Sequence, residues 1–330
     1  MNVMDFPLSL GFEDVGIVQK KNICKSRLDV NIKSEIARGL FIENPLICSN
    51  MSSIINSQFY NKIYELGGLA VLHRALDTRL YIEEVKKVAD KCKIVAVSIG
   101  TQEDQFDLCR TLIDNGANFI IIDVAHGYSD TVINLGRKIK KEFNEVKLGV
   151  GNVTNVSFLE EVDDFADVVK CGIGGGLACS TKNTAGAFQK QFSTIFQFKE
   201  LSKKLGLPIL ADGAIREPAD FVKSIGAGAN SAMAGSIFCM CPESSAEETE
   251  INGVRKKIYY GMASRRNQEQ WRKGLKPKTC AEGRVVYLDL GEPVADLIER
   301  YMGALRSGIT YAGANDIKSF QDQVEFVRFV

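Results

Sequence analysis

The sequence is poor in the residues that build common metal sites. It has only two histidines, His73 and His126, in 330 residues, and its nine cysteines include no C-x-x-C pair; Cys239 and Cys241 are separated by a single residue. A zinc site of the usual spacing is therefore not expected. Lys plus Arg and Asp plus Glu both number 41, so no global positive field exists to gather nucleic acid or a membrane surface. Any anionic ligand must be held by a local arrangement. The chain has no apolar run of bilayer length, no basic-then-apolar export pattern after Met1, and no Pro/Ser-rich linker or repeat that divides it. These absences predict a soluble, cytoplasmic protein with no nucleic-acid or membrane partner. In a reducing compartment most of the cysteines are expected to be buried small hydrophobes, with one or two reactive at most.

What is present is a series of short, β-branched apolar runs, each closed by Gly, Asp, Asn or Ser and followed by a polar stretch of helical period. Eight occur: Pro45 to Asn50, Leu69 to Leu72, Ile94 to Gly100, Phe119 to Asp123, Lys147 to Gly151, Val168 to Gly172, Pro208 to Asp212 and Ser231 to Ser236. Glu103 to Asn115 and Ser129 to Phe143 are two of the intervening helical segments. Continuous apolar strands suit a parallel sheet covered by helices, and eight βα units close into a (β/α)8 TIM barrel, an α/β fold of about 250 residues that tolerates insertions. One barrel accounts for the whole chain as a single catalytic domain, residues 1–330. A doubly wound open sheet is the competing architecture, but a Gly-rich dinucleotide turn is missing after the first strand. Two irregularities stand out: a long glycine-rich loop after the sixth run, and an excursion at 241–292, rich in Glu, Arg, Lys and Gln, expected to be a mobile lid. The first 44 residues are expected to cover the barrel's bottom or to meet another subunit.

In a barrel of this kind the chemistry sits on the loops after the strands. Glycines 172, 174, 175 and 176 lead into Cys179, with Thr181 two residues on. A thiol on a glycine-shaped loop is a candidate covalent nucleophile, and Thr181 a candidate proton relay; a flexible loop carrying a buried cysteine is the alternative. Asp212, Gly213 and Ala214 close the seventh run, Gly235 and Ser236 the eighth. Loops in these places often hold phosphate through backbone amides, which would put Asp212 on ribose hydroxyls; two ordinary βα turns are the plain reading. Asp123 ends an apolar strand, an expensive place for an acid without a partner. His126, beside it, is either a ligand contact or a cap on the next helix. His73 and Arg74 close the second run, where a cation could face a substrate or pair with a carboxylate.

These residues together resemble the IMP dehydrogenase/GMP reductase family over nearly the whole chain. The family's cysteine loop, G-I-G-P-G-S-x-C-T-T-R, is matched by Gly172 to Lys182. Its companions follow in family order: F-x-D-V (Phe12 to Val15), D-V-A-x-G-Y-S (Asp123 to Ser129), G-N-V (Gly151 to Val153), A-D-G (Ala211 to Gly213), Y-G-M (Tyr260 to Met262), E-G (Glu282 and Gly283) and L-R-S-x-x-T-Y-x-G-A (Leu305 to Ala314). The lack of a CBS-pair insertion, the K-S-R at Lys25 to Arg27 and the shorter lid from Gly261 to Glu282 resemble the reductase branch.

The resemblance implies NADPH-dependent reductive deamination of GMP to IMP and ammonia. It makes Cys179 the nucleophile on purine C2, with Thr181 and Glu282 handling protons and Arg74 and Asp123 in supporting catalytic roles. Phosphate and ribose would rest on Asp212, Gly213, Ala214, Gly235 and Ser236, and the base near Gly261, Met262, Ala263 and Gly283. Arg74, Asp123, Val124, Ala125, Ile173 and Gly174 would line the nicotinamide side. Ser26, Arg27, Ser307, Gly308, Ile309 and Thr310 would reach the cofactor's far end across a subunit boundary. Gly174, Gly176 and Cys179 would offer carbonyls to a monovalent cation such as K+, and the assembly would be a homotetramer. Departures fall in the pocket: Leu177 replaces the loop serine that helps hold phosphate, Arg74 the usual lysine, Ala263 a serine after G-M, and Thr279 a lid arginine, while Gly175 and 185–188 also loosen the match. Each lost hydrogen-bonding partner is worth roughly 1 to 3 kcal/mol, enough to alter which nucleotide is preferred. Three alternatives follow: oxidation of IMP with NAD, reduction of a modified or deoxy purine nucleotide, and a purine-nucleotide-binding barrel without turnover.

Overall fold

The computed structural model describes residues 7–272 and 278–329. Each of the eight apolar runs forms a strand of one parallel sheet: β1 Leu46–Cys48, β2 Leu69–Ala70, β3 Ala96–Ile99, β4 Phe119–Asp123, β5 Lys147–Val153, β6 Val168–Cys171, β7 Ile209–Asp212 and β8 Ser231–Ala234. The hydrogen-bonded order is β2-β1-β8-β7-β6-β5-β4-β3. A parallel bridge between Leu72 and Val97 closes the remaining seam. The Tyr81 hydroxyl staples that seam: it lies 3.2 Å from the Leu72 carbonyl and 2.8 Å from that of Ser98, and accepts the Ser98 N–H at 3.0 Å. The result is the (β/α)8 barrel expected from the sequence.

The helices follow from their patterns. Asp130–Glu142 starts after Ser129, buries Val132, Ile133, Gly136 and Ile139 on one face, and places Lys140 and Lys141 in its last turn, where cations suit the helix dipole. In Thr78–Ala89 the Asp77 carboxylate caps the start by accepting from Leu80 N at 3.0 Å, and Tyr81, Val85 and Val88 face the core. No described helix is long and apolar enough to cross a membrane.

Before β1, residues 9–17 run along the outer helices, where Leu10 N donates to Ser193 Oγ at 2.7 Å, and the segment that follows covers the N-terminal end of the barrel. A hairpin of Ser34–Ala37 and Leu40–Ile42 buries Ile36 and Ala37, and Arg38 donates to the carbonyls of Asp163, Ala166, Leu205 and Gly206. With that end covered, the opposite end is the open one. In the 241–292 excursion, Glu248–Ile251, Val254–Tyr260 and Val285–Asp289 form a three-stranded antiparallel sheet, and Arg265–Arg272 a helix. Much of the segment is thus regular structure, and residues 273–277 within it lie outside the described residues.

Candidate active site

A cavity of about 310 Å³ opens at the C-terminal ends of the strands. Its size is that of a small-molecule site. On one wall stands Cys179, whose Sγ lies 3.2 Å from Thr181 Oγ1. Thr181 in turn donates to Glu282 Oε2 at 2.8 Å. The three groups form one donor–acceptor line from thiol through hydroxyl to carboxylate. Although Glu282 is 101 residues from Thr181 in sequence, backbone bonds fix it there: Ser180 N donates to Glu282 O at 2.9 Å, Glu282 N to Ala263 O at 3.1 Å, and Arg284 N to Ala178 O at 2.9 Å. Residues 282–284 thus run between the cysteine loop and the Gly261–Ser264 turn.

That threading requires a glycine. A Cβ on Gly283 would stand 2.7 Å from Ser264 N and 3.2 Å from Ala263 C, both backbone atoms. Gly283→Ala is therefore expected to push Glu282 off Thr181 and to lower kcat by about 10- to 100-fold. Steady-state kinetics at saturating substrate check this, and an unchanged kcat would show that the Thr181–Glu282 contact carries no catalysis.

The floor of the cavity is ionic. Lys170, buried in the middle of β6, contacts Asp123 Oδ1 at 2.8 Å and Asp212 Oδ2 at 2.6 Å. Asn50 Nδ2 donates to the other Asp123 oxygen at 2.7 Å, and Asn152 Nδ2 to Asp212 Oδ2 at 2.7 Å. Burial alone would lower the Lys170 pKa, but the two carboxylates outweigh it and hold the ammonium above its ordinary range. Burial likewise works against the Asp123 carboxylate, and Lys170 first, then Arg74, reverse the sign so that its pKa falls below the usual value. Two cations, Arg74 and Lys170, thus balance two carboxylates.

Arg74 donates to the Asp123 carbonyl at 3.1 Å and lies 5.5 Å from the Trp271 ring centroid, while its Nε and Nη1 are buried without a partner. Gly172, at φ +124°, passes so close to β7 that a Cβ would stand 2.4 Å from Asp212 O. Only glycine suits that position.

Most of the residues singled out from the sequence come together in this cavity: Cys179, Thr181, Glu282, Arg74, Asp123, Asp212, Gly213, Ala214, Gly235, Ser236, Gly261, Met262 and Ala263, with Val124, Ala125, Gly174, Gly176 and Leu177. Gly283 lies behind Glu282 in the threaded segment. Ile173 does not line the cavity, nor do two distant groups. Ser26 caps the short turn Arg27–Asp29, which packs on the helix Val294–Tyr311 carrying Ser307 to Thr310. Gly308, Ile309 and Thr310 are buried there.

His126 is exposed and does not cap the helix beyond it, whose N-cap position is Ser129, with no side-chain cap bond. His73 is buried, its Nδ1 accepting from Ala75 N at 3.1 Å, and burial pushes its pKa down to about 4. Six of the nine cysteines are buried, and Cys179 is one of two that are half-buried. Residues that the sequence did not single out include Lys170, Asn50, Asn152, Tyr259 and Trp271, all of which line the cavity.

Comparison with known proteins agrees with this geometry. The sequence profile of the IMP dehydrogenase / GMP reductase domain matches residues 9–330. The chain belongs to that family. It is similar to the GMP reductase of Klebsiella pneumoniae, at 31% identity over 97% of this chain and 95% of the relative. It is also similar to the GMP reductase of Ascaris suum, at 27% identity over 98% of this chain and 94% of the relative. The family match spans the cysteine loop, the threaded Glu282 segment and the Asp–Lys–Asp floor, so all three parts of the cavity lie within one family domain.

For this member of the family, His73 gives a pH signature. Its neutral form is favoured in the fold, so stability is complete above the ordinary value of 6.5 and is lost as pH falls from there toward about 4. Its share is about 3 kcal/mol at most. His73→Gln is expected to flatten the fall in Tm between pH 7 and pH 5, checked by thermal unfolding; parallel Tm profiles would show that His73 does not titrate on unfolding.

Proposed function

We propose that this protein is a reductase that converts GMP to IMP, with release of ammonia and oxidation of NADPH. The observation that carries the reading is the line Cys179 Sγ, Thr181 Oγ1, Glu282 Oε2, with contacts of 3.2 and 2.8 Å, in a cavity floored by charged groups. A binding protein has no need of a nucleophile joined to a carboxylate in this way.

The thiol proton passes along the line through Thr181 toward Glu282, and the thiolate adds to purine C2. Glu282, through Thr181, then returns a proton to the exocyclic amine, which leaves as ammonia while the purine stays on sulfur. When bound, NADPH supplies the hydride that C2 accepts as the C–S bond breaks and the thiolate is restored. Counting ammonium as the product, GMP, NADPH and two protons give IMP, ammonium and NADP+.

Asp212 suits the ribose hydroxyls: both of its bonds to Lys170 and Asn152 fall on Oδ2. Gly213, Ala214, Gly235 and Ser236 take the phosphate end, and Gly261, Met262 and Ala263, with Gly283 behind them, the base. Arg74, Val124, Ala125 and Gly174, with Asp123 held ionised, take the nicotinamide side. The unpartnered Nε and Nη1 of Arg74 supply donors that a carboxamide or phosphate oxygen can use.

The carbonyls of Gly174, Gly176 and Cys179 suit a monovalent cation such as K+. Gly176 O already accepts from Cys179 N at 3.0 Å, which leaves its second lone pair. In a cytoplasmic homotetramer, Ser26, Arg27 and Ser307 to Thr310, together with Ile173, would complete the cofactor's outer contacts.

The test is a paired assay: GMP with NADPH against IMP with NAD. Turnover in the first alone supports the proposal. Turnover in the second alone would assign the chain to the oxidising branch, and binding without turnover in either would leave a nucleotide-binding barrel.

A further inference from the structure

The one tryptophan of the sequence, Trp271, stands on the lid helix Arg265–Arg272, lines the active cavity and lies against Arg74. Resting on the cofactor placement proposed above, we infer that Trp271 is a positioning residue for the cofactor: its indole holds the Arg74 guanidinium so that two N–H donors stay available to the nicotinamide carboxamide.

The lid helix is anchored where it begins. Asn267 is buried, donates from Nδ2 to Met262 O at 2.8 Å and accepts the Ser52 hydroxyl on Oδ1 at 2.6 Å, and Gln268 Nε2 donates to Ala263 O at 3.1 Å. Gln268 and Trp271 are three residues apart, a spacing that puts them on one helix face, and both line the cavity. Arg74 reaches the same place from the loop after β2. Its guanidinium is bounded by the indole, 5.5 Å from the ring centroid, and by Gly100 at the end of β3, where a Cβ would stand 2.8 Å from Nη1. Nη2 donates to the Asp123 carbonyl at 3.1 Å, whereas Nε and Nη1 are buried with no hydrogen-bond partner among the described residues. Buried donors left unpaired are costly, so this arrangement is stable at full strength only when a ligand oxygen takes them. A carboxylate could also hold the guanidinium, but it would consume those donors. An indole holds a guanidinium through its face and has no acceptor in its plane, so it orients the cation and leaves the donors free for a ligand. With the Asp123 carboxylate held ionised nearby, a neutral carbonyl oxygen suits the two donors better than a further anion.

Steady-state kinetics of the full chain test this. KM for NADPH is expected to rise about tenfold in Trp271→Ala and in Arg74→Met, while KM for GMP in Trp271→Ala stays within about twofold of wild type and Trp271→Phe stays near wild type for both. Because the indole acts through the guanidinium, the double variant should be no worse than Arg74→Met alone. An unchanged KM for NADPH in Trp271→Ala, a KM for GMP that rises with it, or two effects that multiply in the double variant would overturn the inference and leave the reductase reading standing. A second readout does not depend on turnover. NADP+, which unlike NADPH does not absorb the indole emission, should quench the single tryptophan to saturation, with a midpoint about tenfold higher in Arg74→Met. If GMP and NADPH give no turnover, the reductase reading fails; quenching with that shift would then keep Trp271 and Arg74 as a nicotinamide site, and its absence would overturn the inference as well.

Discussion

Cys179→Ala is expected to lower kcat for reduction of GMP by about 10⁴-fold or more, while GMP still binds. The reason is chemical. The substitution removes the thiol, the strongest nucleophile of the thiol–hydroxyl–carboxylate line, yet leaves the cavity walls in place. Cys179 is half-buried on a glycine-bounded loop, so trimming its side chain opens little core and stability should change by less than about 1 kcal/mol. Thr181→Val keeps the sulfur and breaks the line one step on, with an expected loss of about 10²- to 10⁴-fold. Steady-state kinetics beside calorimetric GMP binding check both variants. A Cys179→Ala enzyme with more than about a tenth of wild-type kcat would reduce the cysteine to a loop residue.

The largest stability effect is expected at Lys170, a residue that makes no covalent chemistry. Lys170→Met leaves Asp123 and Asp212 facing each other across the space of a buried ammonium that sits 2.8 and 2.6 Å from them. Removing one member of a buried ionic cluster costs about 3–5 kcal/mol, because the remaining charges stay desolvated. The sign with pH is set by the carboxylates. In the wild type the depressed Asp123 pKa contributes stability above the carboxylate's ordinary value, and that share is lost as pH falls through the folded value. In the variant the carboxylates gain by taking up protons, so its Tm deficit should be greatest near neutrality and shrink toward pH 4.5. Adding Asp123→Asn should recover part of the deficit. A deficit that does not vary with pH would mean that Lys170 matters for packing and not for charge.

The barrel is legible in the sequence because parallel strands buried on both faces are written as unbroken apolar runs, and all eight runs form strands. The excursion at 241–292 is harder to read. Its strands Val254–Tyr260 and Val285–Asp289 are half-exposed and interleave Lys, Arg and Asp with apolar residues, and their pairing depends on partners 25 to 33 residues away, such as Lys256 with Asp289 and Tyr260 with Val285.

Lys170 is hidden for the opposite reason. It sits inside the apolar run Val168 to Gly172 and reads as part of a strand. A signal is nevertheless there: a lysine in a strand buried on both faces demands carboxylates, and Asp123 and Asp212 end two other barrel strands. Asn50 and Asn152 carry no such signal, since an asparagine after a strand is common in ordinary turns. Cys179, Thr181 and Glu282 are legible as types and order, but the line joining them depends on backbone bonds from Ala178, Ser180 and Ala263 that no spacing in the sequence announces.

The most direct test of covalent catalysis at Cys179 is peptide mass spectrometry on protein quenched with acid during turnover of GMP and NADPH. The expected result is the purine nucleotide attached through sulfur to the peptide that carries Cys179, and its disappearance in Cys179→Ala. Steady turnover with the Cys179 peptide unmodified, matched by an active Cys179→Ala enzyme, would contradict it.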